Sequence, residues 1–267
     1  MIHEEKRVLP DGPMERAKSN ATLRKAAGRG DADAVRRLLP SANPLAADPQ
    51  GTTALMMVGM PKDSESGALE CLALLLPVSD PDAVDSLGRT ALMRAVESGM
   101  LETARALASS SDLERKSPGG FTALMAAATA PGEMATMLLA LGADPAARSD
   151  FGMTAFMLAS YRGNKDAVEA LFPVSDVFAT NSEGASALDF ALKGEKTARE
   201  QAEKNPMSNL LARPSKLKYQ RLPDFHAWFA RRLEQETLSQ IVNEADAVAN
   251  CSSANPAAPT RLKPRAL

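Results

Sequence analysis

Histidine is nearly missing from this 267-residue chain, which holds only His3 and His226. The side chain that most readily moves protons near neutral pH is thus almost absent, and neither copy stands in a constellation of nucleophile or ligands. Two cysteines, Cys71 in an apolar stretch and Cys251 in a polar one, supply neither a disulfide framework nor metal-ligand spacing. Aromatics are 4% of the residues while the hydrophobic share is 45%, much of it alanine, which suits helices that approach closely. No apolar run nears the roughly 20 residues that span a bilayer. Met1-Ile2-His3-Glu4-Glu5-Lys6-Arg7 has no apolar stretch of the signal-peptide kind, so a cytoplasmic protein without membrane contact is expected. No Walker-type glycine loop occurs, and Gly28-Arg29-Gly30 reads as a turn between two helices. Arg29-Gly30-Asp31 spells an adhesion tripeptide but belongs to that same turn. With no catalytic constellation, metal site or cofactor motif, a non-enzyme is expected.

What is present repeats. Gly51-Thr52-Thr53-Ala54-Leu55-Met56 recurs as Gly88-Arg89-Thr90-Ala91-Leu92-Met93, Gly120-Phe121-Thr122-Ala123-Leu124-Met125 and Gly152-Met153-Thr154-Ala155-Phe156-Met157. Gly184-Ala185-Ser186-Ala187-Leu188-Asp189 is a weaker copy. The threonines, serine in the last copy, stand 37, 32, 32 and 32 residues apart, a period that marks a stacked array. A second register agrees: Asp80, Asp112, Asp144 and Asp176 are 32 apart, with Asn43 in the corresponding place upstream. Between threonine and aspartate lie two apolar-periodic segments, clearest in Ala155, Phe156, Leu158, Ala159 and then Ala167, Val168, Ala170, Leu171, Phe172, parted by Arg162-Gly163-Asn164. Each unit is therefore helix, tight turn, helix and extended loop. The threonine is placed to cap the first helix with its hydroxyl. Such a pair cannot bury its own apolar face and must stack on neighbours.

The pattern resembles the ankyrin repeat family, most closely at Leu139-Ala140-Leu141-Gly142-Ala143-Asp144 followed by Phe151-Gly152-Met153-Thr154-Ala155. The resemblance covers roughly residues 18–194. It implies an all-α solenoid of about six helix-turn-helix units with hairpin loops, near 19–50, 51–87, 88–119, 120–151, 152–183 and a partial 184–194. A flexible segment, 1–17, is expected before the array, a helical extension or cap over 195–250 after it, and a disordered tail over 251–267. Alanine replaces the family's proline, and Met56, Met93, Met125 and Met157 replace its histidine. A methionine stripe at that spacing reads as packing between stacked helices rather than as a metal or haem feature. The altered motif and the alanine-rich, arginine-over-lysine composition suggest a bacterial or phage-related source. Leu23 to Leu39 reads as a more charged N-terminal unit without the leading threonine. Unit two carries five extra residues around Pro61 to Gly67, read as an inter-helix loop on the surface or at the binding face.

Up to residue 190 the chain has 18 Lys and Arg against 25 Asp and Glu, and beyond it 13 against 8. An acidic array is a poor match for phosphate backbones, so nucleic acid is not expected as a partner. The more basic C-terminal region is expected to fold back on the array or to meet an acidic partner. Lys216 to Leu222 alternates basic and apolar residues, and an amphipathic helix is expected from Asp224 with Phe225, Trp228 and Phe229 as its apolar cluster. That helix either caps the array or offers a partner surface.

The ankyrin resemblance implies that the first helices line a concave face beside the hairpin tips. One position past each leucine-methionine pair lie Lys25, Met57, Arg94, Ala126, Leu158 and Phe190; one turn on lie Glu97, Ser98, Thr129, Tyr161 and Arg162. Met57, Arg94, Glu97, Leu158, Tyr161, Arg162 and Phe190 are the candidate partner-binding residues, because aromatic, Met and Arg side chains dominate interface hot spots. Phe190 has the second reading of being covered by the C-terminal helix. Hairpin-tip residues Ser86, Lys116, Asp150 and Asn181 form a second set. The expected function is non-enzymatic binding of another protein, as adaptor, inhibitor or effector subunit, without cofactor or metal. A homo-oligomeric scaffold assembled through the C-terminal aromatic helix is the alternative.

Overall fold

Each threonine placed by the repeat begins a helix. In the computed structural model, which describes residues 12–60, 65–130, 132–204 and 227–237, Thr53, Thr90, Thr122 and Thr154 adopt extended backbone. Their Oγ1 atoms accept from the N–H groups of Met56, Met93, Met125 and Met157 at 3.3, 3.2, 3.4 and 3.3 Å. Each bond satisfies a first-turn donor that the helix cannot satisfy itself. In the weaker fifth copy, which opens the sixth unit, Ser186 N–H and Oγ–H donate to Asp189 Oδ2 at 2.8 and 2.6 Å, and Asp189 N–H donates back to Ser186 Oγ at 3.4 Å. The Asp189 that departs from the motif thus completes a reciprocal cap.

The chain divides into two compact units, Met1–Phe225 and His226–Leu267. In the first, helices come in pairs: α1 (Pro13–Arg29) with α2 (Ala32–Leu38), α3 (Ala54–Val58) with α4 (Glu65–Leu75), and α5 (Ala91–Glu97) with α6 (Leu101–Ala108). Then follow α7 (Ala123–Ala127) with α8 (Gly132–Ala140), α9 (Ala155–Arg162) with α10 (Lys165–Leu171), and a single long α11 (Ala187–Lys204). First helices pack in the order α1, α3, α5, α7, α9, α11, and second helices in the order α2, α4, α6, α8, α10, so the array has two helical layers. Among the described residues there is no β-strand; a lone antiparallel bridge joins Thr180 and Ser186.

The core lies between the layers. Leu55, Met56, Leu92, Met93, Leu124, Met125, Phe156 and Met157 are all buried, so thioethers fill the place where the family pattern carries histidine. The loops take their shape from the second register. Asn43, Asp80, Asp112, Asp144 and Asp176 each accept, through Oδ1, the N–H two residues on, at 2.8 to 3.1 Å, the bond of an Asx turn. The repeat glycine is needed at Gly152, where φ is 72° and a Cβ would come within 2.7 Å of Ser182 N.

At residue 194, where the array is expected to end, α11 runs on to Lys204, as a charged helix continuing the last unit would. Two boundaries differ from expectation. α1 begins at Pro13, inside the segment read as flexible, because a proline at the first helical position loses no hydrogen bond. Glu65, Ser66 and Gly67, read as inserted loop, are the first turn of α4. Glu65 Oε1 accepts from Thr103 N–H at 2.9 Å, capping α6, whose own N-cap residue Met100 supplies no side-chain acceptor. The alternating segment at 216–222, the rest of the extension at 238–250, and the tail at 251–267 lie outside the described residues, as does Phe225.

Candidate partner-binding face

In units two to five, neighbouring helices bury most of each first helix, and one stripe remains open. On α9 the residues from Ala155 to Ser160 are buried except Leu158, after which Tyr161 is half-buried and Arg162 exposed. The three- and four-residue spacing puts Leu158, Tyr161 and Arg162 on one side. The same register leaves Met57 and Met60 half-buried in unit two, Arg94 half-buried and Glu97 exposed in unit three, and Ala126 and Thr129 half-buried in unit four. Phe190 does not join them: it is 9% exposed, and its ring meets Tyr161 edge-on at a centroid distance of 6.4 Å. It therefore holds Tyr161 from below instead of facing solvent.

Arg94 is also less free than its register suggests. Its side chain is 14% exposed, and Nη1 lies 3.5 Å from Asp85 Oδ2. Nη1 is also 3.5 Å from Thr52 Oγ1, and Nη2 is 3.6 Å from Met60 Sδ. Asp85, whose side chain is 3% exposed, takes stronger bonds from Arg89: Nη2 at 3.0 Å, Nε at 3.1 Å and the backbone N–H at 2.9 Å. Arg89 Nη1 reaches on to Glu97 Oε2 at 3.3 Å. Burial of the Asp85 carboxyl raises its pKa most, but the bonds from Arg89 and Leu87 N–H and the Arg89 charge together outweigh it and hold it below 3.8. Sequence reasoning missed Asp85 and Arg89. The signal was a third register at Asp48, Asp85, Ser117, Ser149 and Asn181, whose backbone N–H groups each donate to the carbonyl four residues on.

The hairpin tips are joined by backbone bonds from Ser86 N–H to Gln50 O, Asp150 N–H to Gly119 O and Ser182 N–H to Phe151 O, at 2.7, 2.9 and 3.1 Å. Ser86, Lys116 and Asp150 are exposed and Asn181 is half-buried. Lys116 Nζ donates to Arg148 O at 3.1 Å, and Arg148 Nη1 to Thr180 O at 2.8 Å, so these cations tie one loop to the next. Leu87 and Phe151, 61% and 59% exposed, are the large apolar side chains at the tips.

In the second unit, residues 227–237 are helical; Trp228 is half-buried and stacks on Phe229, centroids 6.5 Å apart, and Phe229 is fully buried. Among the described residues no helix is long and apolar enough to cross a membrane, and no three His, Cys, Asp or Glu side chains gather as a metal site would require.

Residues 62–149 match the family described as ankyrin repeats (3 copies), a span running from unit two through unit four. Hydroxyls accepting a first-turn N–H continue beyond that match at Thr154 and Ser186. No curated protein matches the chain.

Proposed function

Since the chain carries ankyrin repeats, a family that generally serves protein–protein interaction, we propose that it is a non-enzymatic binding module of the cytoplasm. It receives a partner protein on the open stripe of its first helices and on the tips beside it, as adaptor, inhibitor or effector subunit. The observation that supports this reading is the stripe itself: Met57, Met60, Leu158 and Tyr161 stay partly open on α3 and α9, beside helix positions such as Leu55, Met56, Phe156 and Met157 that are buried. Partly exposed Met and aromatic side chains on rigid helices offer contact area at little ordering cost. Arg162 and Glu97 give that face polar edges, and Leu87 and Phe151 extend it toward the tips. Phe190 contributes by supporting Tyr161. The alternative scaffold assembled through the aromatic helix is less favoured, because Phe229 is already covered within a single chain.

Co-purification from native lysate tests the reading, using wild type and the double variant Leu158→Glu, Tyr161→Ala, with circular dichroism on both. Loss of a partner from the variant with helicity retained is the expected result. Equal recovery by both would remove the first-helix stripe as the binding face. Recovery of the protein alone would favour the homo-oligomer.

A further inference from the structure

From unit two to unit five the stripe's two inner positions, Met57 and Met60, Ala126 and Thr129, Leu158 and Tyr161, are apolar or small except in the third unit. Where unit two has Met57 and Met60 and unit five has Leu158 and Tyr161, unit three has Arg94 and Glu97, with Arg89 beside them in the place of Thr52, Phe121 and Met153. Two guanidinium groups and two carboxylates meet there, but not on equal terms. Arg89 takes Asp85 at 3.0 and 3.1 Å, whereas the contacts of Arg94 with Asp85, Thr52 and Met60 lie at 3.5 to 3.6 Å. A charge-assisted bond to a carboxylate settles at about 2.7–2.9 Å, so Arg94 keeps capacity for a closer acceptor. Asp85 is locked by burial and by several donors, while Glu97 is 43% exposed and held by one bond to Arg89 at 3.3 Å.

We propose, resting on the partner-binding reading above, that the partner presents a single carboxylate between apolar residues. That carboxylate displaces Glu97 and binds Arg94 and Arg89. The charge count favours an exchange over an addition. With Glu97 turned to solvent, Arg89, Arg94 and Asp85 leave one positive charge, which one incoming carboxylate neutralises. A polyacidic partner does not fit, because the surrounding array is itself acidic. Met57 and Met60 on one side and Leu158 and Tyr161 on the other receive the apolar flanks; adjacent packed helices stand about 8–10 Å apart, which sets the scale of the spacing between anchors.

The test titrates 3-phenylpropionate, 3-phenylpropanamide and 3-phenylpropylammonium into full-length protein, followed by the Nε–H NMR signals of Arg89 and Arg94. Saturable shifts with the carboxylate, and about tenfold weaker binding of the amide and the ammonium compound, are expected, roughly the worth of one charge-assisted bond. Arg94→Gln, with helicity retained, loses that preference. Glu97→Gln, which removes the internal competitor, tightens carboxylate binding about two- to fivefold, the scale of one exposed ion pair. Equal binding of the three compounds, absence of a saturable shift, or carboxylate binding unchanged in Arg94→Gln would each overturn the proposal. Lysate capture separates the two levels: a partner kept by Arg94→Gln but lost by Leu158→Glu, Tyr161→Ala leaves the face standing and removes the carboxylate. A partner kept by both removes the face itself.

Discussion

A hydroxyl at the start of each first helix from α3 to α11 carries much of the specification of the array. Thr154 Oγ1 closes one otherwise unpaired donor in a buried setting, where a lost cap costs about 1 kcal/mol. Thr154→Ala is therefore expected to lower unfolding free energy in urea by about that amount, with Thr154→Ser close to wild type. Asp85 answers to pH instead. Its folded pKa is depressed, so its contribution is fully present above the ordinary carboxylate value and is lost as pH falls through the folded one. Wild-type stability should therefore drop on acidification below about pH 4 more steeply than that of Asp85→Asn, which has no such proton to take up. Parallel stability curves for the two proteins would remove Asp85 from the acid response.

The joints between helices rest on residues whose partners lie a full unit away. Asn164 shows this: Oδ1 accepts from Ala167 N–H at 3.3 Å at the head of α10, while Nδ2 donates to Ala128 O and Ala130 O at 3.1 and 2.6 Å in the preceding unit. The turn at Arg162-Gly163-Asn164 was legible from Gly163 and the break in apolar period. The reach to Ala128 was not, because no local pattern says which carbonyls a packed neighbour leaves open. Substitution tests the donors directly. Asn164→Ala is expected to cost about 2–3 kcal/mol by losing cap and donors together, and Asn164→Asp, which keeps the acceptor but turns a carboxylate oxygen toward the Ala128 and Ala130 carbonyls, should cost at least as much. Glu65 is the second such joint. It was read as part of a surface loop, yet its carboxylate closes α6 in place of the missing Met100 cap. Glu65→Ala should reduce hydrogen-exchange protection of the Thr103 amide by about five- to thirtyfold, the equivalent of ~1–2 kcal/mol. Unchanged exchange at Thr103 would mean that the carboxylate does not hold the helix.

At the scale of the molecule, the fold was legible because the period fixes which residues become neighbours, and two registers over several units leave one way to stack them. The face was less so. Register places Arg94, Leu158 and Phe190 in one row, but their exposure depends on what neighbouring units supply. Asp85 and Thr52 draw Arg94 inward, and Phe190 is buried beneath the Tyr161 ring. Periodicity carries position, and packing against residues 30 or 40 places away decides what remains open. The most direct test of the account is photocrosslinking in native lysate with p-benzoylphenylalanine replacing Tyr161 on the open stripe, or Glu169 on the exposed side of α10. The account predicts adducts with a partner protein from position 161 and none of that partner from position 169. Adducts from 169 alone would contradict it by putting the working surface on the second-helix layer.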